Sequence, residues 1–112
     1  MKKHIIKFLL IVLVLACAAC GANNKKYDGM EPELAKLCKA IDKNPKNAEA
    51  RYSRAVYYYN RGFIEEAKND VFECLKLDEK NAKYYVLMSD VYFAEKETDQ
   101  TEEMLERAIA LE

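Results

Sequence analysis

Residues 47–81 read NAEARYSRAVYYYNRGFIEEAKNDVFECLKLDEKN, and the pattern of this stretch recurs along the chain. A shift of 34 residues brings side chains of similar size and polarity into register. The matched sets are Leu37, Val71 and Leu105; Ala40, Cys74 and Ala108; Ile41, Leu75 and Ile109; and the pairs Asn47 and Asn81, Ala48 and Ala82, and Tyr58 and Tyr92. A fixed period of this length indicates repeated supersecondary units that bury their apolar faces by stacking.

Within each period the apolar residues recur three or four positions apart, which is the spacing of one face of an α-helix. Asn47 and Asn81 stand where the side chain of an N-cap accepts a free backbone N–H, and Thr98 or Asp99 can cap the last helix in the same way. Gly62 can adopt the left-handed conformation that ends a helix. The sequence therefore predicts an all-α fold. Its helices are expected at 31–43, 47–60, 63–77, 82–95 and 99–111.

A unit of 34 residues with two antiparallel helices resembles the tetratricopeptide repeat. The resemblance rests on small and large side chains in the family's order. They are Tyr52, Ala55, Tyr58, Gly62, Ala67, Val71, Cys74 and Leu77 in the first unit, and Tyr85, Met88, Ser89, Tyr92, Leu105, Ala108 and Leu111 in the second. Four positions depart from the family pattern: Arg54 stands for Leu, Glu79 for Pro, Lys96 for Gly and Thr101 for Ala.

The resemblance implies helix pairs stacked as a short right-handed superhelix. The domain would span residues 30–112, with a half repeat at 30–47 and whole repeats at 48–81 and 82–112. A helical hairpin bundle without repeat stacking is the alternative fold.

The start of the chain has a different composition. The basic stretch MKKHIIK precedes FLLIVLVLACAA, an apolar run that fits a secretory signal peptide and is too short to span a membrane as a helix. Ala18, Ala19 and Cys20 then resemble the lipobox of bacterial lipoproteins. That resemblance implies a signal peptide at 1–19 and a lipid on Cys20. Residues 20–29 are polar and predict a flexible tether.

Alternatives remain open for this segment. Cys17 is a rival lipidation site, and an ordinary signal-peptidase cut would leave no lipid at all. Cys17 and Cys20 also form a C-x-x-C pair, but an apolar signal with no second pair argues against redox or zinc chemistry. The lipobox implies a lipid-anchored protein of the bacterial cell envelope. Gly21, rather than Asp, after the cysteine favours the outer membrane.

The residues argue against an enzyme and against a nucleic-acid binder. The single histidine, His4, lies in the segment predicted to be removed, so the mature chain would lack an imidazole for acid–base or metal chemistry. Glu65 and Glu66 are adjacent carboxylates, but acids in the first turn of a helix stabilise its dipole. With 18 basic and 19 acidic side chains, the chain lacks the basic excess that phosphate backbones attract. We expect no catalytic residue, no metal and no cofactor.

Three consecutive tyrosines, Tyr57, Tyr58 and Tyr59, raise the question of a stacking platform. Consecutive residues of a helix point about 100° apart, so the three rings cannot form one surface. We expect Tyr58 to pack between the helices of its unit and Tyr57 to lean toward a neighbouring unit. Tyr59 would face the concave side.

In tetratricopeptide proteins the first helix of each unit lines a concave groove that holds an extended peptide or a helix. The resemblance assigns to this groove Glu49, Tyr52, Val56, Tyr59, Lys83, Val86, Asp90 and Phe93. Any one of these could instead simply cover the neighbouring helix. The set lacks the Lys, Asn and Arg pattern of chaperone-binding members, so chaperone tails are not expected as ligands.

The predicted function is a non-catalytic, membrane-anchored scaffold for a protein or peptide partner. The alternative is a structural lipoprotein that serves as a spacer or oligomerisation unit. The last helix would leave Met104, Leu105, Ile109 and Leu111 partly uncovered, which predicts a longer array, a docked partner or self-association. Cys74 should be a buried thiol, and export would permit a disulfide with Cys38 without requiring one.

Overall fold

The computed structural model describes residues 25–112. This part of the chain forms five α-helices and contains no strand: α1 Pro32–Lys43, α2 Ala48–Asn60, α3 Ile64–Leu77, α4 Ala82–Ala94 and α5 Thr98–Ala110. Every predicted helix is present, and each boundary lies within one residue of its predicted position. The prediction of an all-α fold is confirmed.

The helices pack as pairs that follow one another along the chain. The most extensive contacts are those of α2 with α3 and of α4 with α5. Short turns at 61–63 and 95–97 join the members of each pair, so the two helices of a pair run antiparallel. α1 packs on α2, α3 packs on α4, and α2 also touches α4. This is the stacked arrangement that the 34-residue period predicts.

Two of the helix starts follow from residues that the sequence marks. The side chain of Asn47 accepts a hydrogen bond from the backbone N–H of Ala50 at 3.0 Å, and that of Asn81 accepts one from Lys83 at 3.2 Å. The prediction for the last helix is wrong. Its N-cap is Glu97, which makes no side-chain cap hydrogen bond, because α5 already begins at the residue expected to cap it.

One core joins the first whole repeat to the second. It consists of buried side chains from α2, α3 and α4: Ala55, Ala67, Val71, Cys74, Tyr84, Leu87, Met88 and Val91. Ala55 and Ala67 have no exposed surface, and their small size lets the backbones of α2 and α3 approach closely. Because the core is shared, neither repeat buries its apolar surface alone.

The tyrosine row lies on α2 as the helical geometry requires. The rings of Tyr57 and Tyr58 are 5.8 Å apart at 74° to each other, so they form no common platform. Tyr57 is buried beneath the guanidinium of Arg61, 3.5 Å from the ring centroid, and Arg61 forms an ion pair with Glu33 of α1 at 3.6 Å. Tyr57 therefore lies toward α1, and Tyr58 packs against the core.

Residues 25–31 precede the helical unit that begins at Pro32. The backbone N–H of Asp28 donates to the carbonyl of Lys25 at 3.1 Å, and Gly29 has a positive φ of 83°. The signal segment with His4, the candidate lipidation sites Cys17 and Cys20, and the first residues of the tether lie outside the described residues. Of the helices described, none is long and apolar enough to cross a membrane.

Candidate functional site

The eight predicted groove residues lie on α2 and α4, the first helices of the two pairs. On each helix they are three or four positions apart and therefore share one face. We call these faces together the groove. α3 packs on α2 and α5 packs on α4, and α2 and α4 also contact each other. The structure thus brings the predicted residues onto two neighbouring helices.

The start of the groove is held by contacts between the repeats. Lys83 Nζ donates to Glu49 Oε1 at 2.6 Å and lies 4.7 Å from the centroid of the Tyr52 ring. The hydrogen bond to Glu49, opposed by partial desolvation, raises the pKa of Lys83. The rings of Tyr52 and Tyr84 are 5.6 Å apart. The charges of Glu49 and Lys83 therefore balance each other at this end.

Apart from Asp90, the rest of the groove is apolar, and its side chains are more exposed on α4 than on α2. Tyr52, Val56 and Tyr59 are partly buried against the core, whereas Val86 is 44% and Phe93 is 73% exposed. Tyr59 and Phe93 occupy equivalent positions, but only Phe93 projects freely. A cavity of about 440 Å³ opens beside it, lined by Phe93, Ala94, Lys96, Glu97, Thr98 and Thr101.

Asp90 is the acidic residue in the middle of this apolar surface. Its side chain is exposed, yet partial desolvation by its neighbours raises the pKa of its carboxyl group. A carboxylate in such a setting gains from a cation brought close to it. The groove thus offers apolar surface with one acidic contact.

A protein-family model matches the part of the chain that contains the half repeat, the first whole repeat and the beginning of the next. The tetratricopeptide repeat model matches residues 28–86, more than half of the chain. The chain belongs to the tetratricopeptide repeat family. No curated protein matches it. Tetratricopeptide domains are typically non-catalytic modules that bind other proteins, and exposed apolar side chains such as Val86 and Phe93 agree with this.

The second helices of the tetratricopeptide domain bear a larger cavity that sequence reasoning did not anticipate. Its volume is about 820 Å³. It follows α3 and is lined by residues of four helices and the loop after α3: Arg51, Arg54, Asn69, Asp70, Phe72, Glu73, Leu75, Lys76, Glu79, Tyr85, Met88, Tyr92, Met104 and Arg107. The available signal was the pair of arginines at positions where the next repeat has Tyr85 and Met88.

A buried carboxylate explains those arginines. Arg54 donates to Asp70 through Nε at 2.8 Å and through Nη2 at 2.7 Å, and Asp70 is only 4% exposed. Arg51 Nη1 lies 3.9 Å from the same carboxylate. The hydrogen bond to Asp70 raises the pKa of Arg54 further above its ordinary value. Two short hydrogen bonds from one guanidinium to one carboxylate are typical of a structural ion pair.

The two thiols of the described chain are free and buried. The Cys74 thiol donates to the carbonyl of Ala48 at 3.5 Å, and burial raises its pKa to about 12. Arg54 Nη1 lies 3.5 Å from Cys38 Sγ. The disulfide that export would permit is not formed. Within residues 25–112, no group of three His, Cys, Asp or Glu side chains could hold a metal ion.

Proposed function

We propose that the chain is a non-catalytic lipoprotein whose tetratricopeptide domain binds a protein or peptide in the groove of α2 and α4. The observation that carries this proposal is the set of apolar side chains on the two helices, from half-buried Tyr52 and Val56 on α2 to exposed Val86 and Phe93 on α4. Large apolar side chains left exposed on a small domain mark an interaction surface.

The groove favours a partner segment with apolar side chains and a basic residue. Phe93 offers a flat aromatic surface, which is the kind of anchor that dominates binding energy at protein interfaces. Asp90 would meet the basic residue. The ion pair of Glu49 and Lys83 forms a polar border at one end and leaves little net charge there.

The membrane anchor rests on sequence. A lipid on Cys20 would hold the domain near the bilayer through the tether at 20–29, because two or more acyl chains bind a membrane stably where one does not. The resulting protein would belong to the bacterial cell envelope, with the outer membrane favoured by Gly21. The mass of the intact protein extracted from membranes tests this. Unmodified full-length protein, or a mature form without lipid on either Cys20 or Cys17, would contradict it.

The groove is tested by site-specific photo-crosslinking in cells. A crosslinking amino acid in place of Phe93 or Val86 should give discrete adducts with another protein. The matched control is Glu73, which lies on α3 away from the groove and should give no such adduct. Substituting Tyr59→Ala in the chain that carries the crosslinker at Phe93 should reduce the yield. Equal adducts from Glu73, or none from either groove position, would overturn the proposed site.

The alternative proposal is a spacer or oligomerisation unit. Its structural support is the exposed apolar surface of α5, where Ile109 is 68% exposed. The two functions differ in their response to the combined substitution of Tyr59→Ala and Phe93→Ala. Partner capture should be abolished if the groove is the site, whereas a spacer would function unchanged.

A further inference from the structure

The last helix, α5, bears an exposed apolar surface. The equivalent surface of α3 in the preceding repeat is covered by the next helix, and the two can be compared. Leu105 and Ile109 of α5 stand 34 residues after Val71 and Leu75 of α3. Val71 is completely buried and Leu75 partly buried, in the unit where α4 packs on α3. Leu105 is 42% and Ile109 is 68% exposed, and no described helix lies on them. We call Leu105, Ile109 and Glu102 the α5 face.

Where α4 packs on α3, a charged residue of α3 takes part in the contact. Lys68 of α3 lies 3.0 Å from Glu95, at the end of α4, and 5.2 Å from the ring centroid of Tyr92. Lys68 thus adds a polar contact between the repeats to the apolar one. The residue 34 positions later is Glu102, which is exposed. The α5 face therefore offers the same apolar positions with the opposite charge.

The surroundings of Glu102 are acidic as well. α5 contains Asp99, Glu102, Glu103 and Glu106 against a single cation, Arg107, which forms an ion pair with Glu103 at 2.8 Å. An acidic surface beside exposed aliphatic side chains is complementary to a helix that carries both basic and apolar residues.

We propose that the α5 face binds a basic amphipathic helix of another protein, which docks on α5 as α4 docks on α3. A Lys or Arg of that helix pairs with Glu102, and its aliphatic or aromatic residues cover Leu105 and Ile109. This surface is separate from the groove, so the inference does not depend on the function proposed for the groove.

A second copy of the chain fits the α5 face less well. An antiparallel contact of two α5 helices that places Leu105 against Ile109 also brings Glu102 toward Glu112 of the other copy, two residues past the end of its α5, because both pairs share the same midpoint. Two carboxylates would then meet at each end of the contact, and like charges brought together oppose association. The apolar surface alone would permit a dimer, but the charges favour a basic partner.

The test uses the full chain in detergent and a peptide based on α4. A fluorescent peptide that copies residues 82–96 with Glu95→Lys is the basic probe, and the same peptide with Glu95 retained is its matched control. Binding is followed by fluorescence anisotropy. We expect the basic probe to bind roughly fivefold more tightly than the control, the size of effect expected for one partly exposed charge pair.

Two variants of the chain locate the contact. Glu102→Lys should reverse the preference between the two peptides, and Ile109→Asp should weaken the basic probe at least about tenfold. Glu66→Lys, at an exposed position in the first turn of α3, makes the same change in net charge as Glu102→Lys and should leave binding unchanged. Because both α5 substitutions are at exposed positions, circular dichroism should show native helix content for each.

Equal affinity for both peptides, or a preference that survives Glu102→Lys, would overturn the proposal. So would binding that tolerates Ile109→Asp. A stable dimer by light scattering that Ile109→Asp dissociates would identify a second copy as the occupant instead. Crosslinking at Phe93 reports on the groove alone, so failure at one surface is distinguishable from failure at the other.

Discussion

Arg54 and Asp70 form a bidentate ion pair at the two positions where the next repeat has Met88 and Met104. Each residue is separated from its counterpart by 34 positions. Met88 is completely buried, and Met104 is partly buried against the core. Asp70 is also buried, with only 4% of its surface exposed. An ion pair in one repeat thus takes the place of two apolar side chains in the other. The first repeat accommodates the charge of Arg54 because Asp70, instead of a methionine, lies opposite it.

Removing one member of this pair should be costly. Asp70→Ala would leave the largely buried Arg54 side chain without its main acceptor, and we expect the free energy of unfolding to fall by about 3 kcal/mol. Arg54→Met combined with Asp70→Met should recover most or all of that loss, since the next repeat shows that two methionines fit. Urea unfolding of the three proteins measures the difference.

An exposed pair provides the control for this experiment. Arg107 and Glu103 are also 2.8 Å apart, but both side chains are more than half exposed. Glu103→Ala should therefore change stability by less than about 0.5 kcal/mol. If Asp70→Ala proved equally mild, the buried pair would have no structural importance.

The Arg54 pair also shows which part of the fold the sequence could predict. The period and the helical spacing predicted all five helices because each depends on many residues at once. The repeat pattern does not identify Asp70 as the partner of Arg54, because it relates positions in successive repeats and not positions on the two helices of one repeat. A charged residue at an apolar repeat position should prompt a search for its partner on the paired helix.

Lys96 adopts a backbone conformation that favours glycine. Its φ is 62°, and Gly62 has a φ of 81° at the equivalent position. The hydrogen bonds that end α2 and α4 also correspond: the N–H of Phe63 donates to the carbonyl of Tyr58, and that of Glu97 donates to Tyr92, both at 2.9 Å. The turn after α4 therefore has the same conformation as the turn after α2, although Lys96 replaces the glycine.

Lys96→Gly should stabilise the protein by about 0.5–1 kcal/mol, because a residue with a Cβ is strained in the left-handed region. Gly62→Ala should destabilise it by about 1 kcal/mol. Apart from the two neighbouring residues in the chain, no atom lies within 4 Å of the added Cβ, so this cost would come from the backbone conformation. Thermal unfolding of both variants tests the pair. Changes of the same sign would show that the two turns are not equivalent.

Alkaline pH should destabilise the fold through Cys74. Burial raises the pKa of this thiol from 9.0 to about 12, so the folded state binds a proton that the unfolded state releases at lower pH. The stabilisation is therefore complete below about pH 9 and is lost as the pH rises toward 12. Burial also raises the pKa of Tyr58 and Tyr84, which adds a loss in the same direction at higher pH.

The comparison of pH values near 8 and 9.5 isolates the thiol, since most tyrosine in an unfolded chain is still protonated at both values. Urea unfolding midpoints should fall between these values in the wild-type chain and fall less in Cys74→Ala. Alanine suits the site, because Ala40 and Ala108 hold the equivalent positions. An identical fall in the variant would contradict the assignment to Cys74.

The groove shows the limit of prediction from the repeat pattern. The family resemblance placed Tyr59 and Phe93 at equivalent positions, yet Tyr59 packs against the core and Phe93 is 73% exposed. Burial depends on the helices that follow a position as well as on the position itself. A repeat alignment gives the position of each side chain but cannot say what packs on it.

The same dependence on neighbours yields a reciprocal prediction for Ser53 and Leu87. They stand 34 residues apart on α2 and α4, but Ser53 is exposed, whereas Leu87 is buried in the core shared by the two repeats. Leu87→Ser should destabilise the protein by about 3–4 kcal/mol, because it opens a cavity and buries a hydroxyl group. Ser53→Leu should change stability by less than about 0.5 kcal/mol. Urea unfolding of the two variants measures the asymmetry. A large effect of Ser53→Leu, or a small one of Leu87→Ser, would show that the two positions do not differ in packing as the structure indicates.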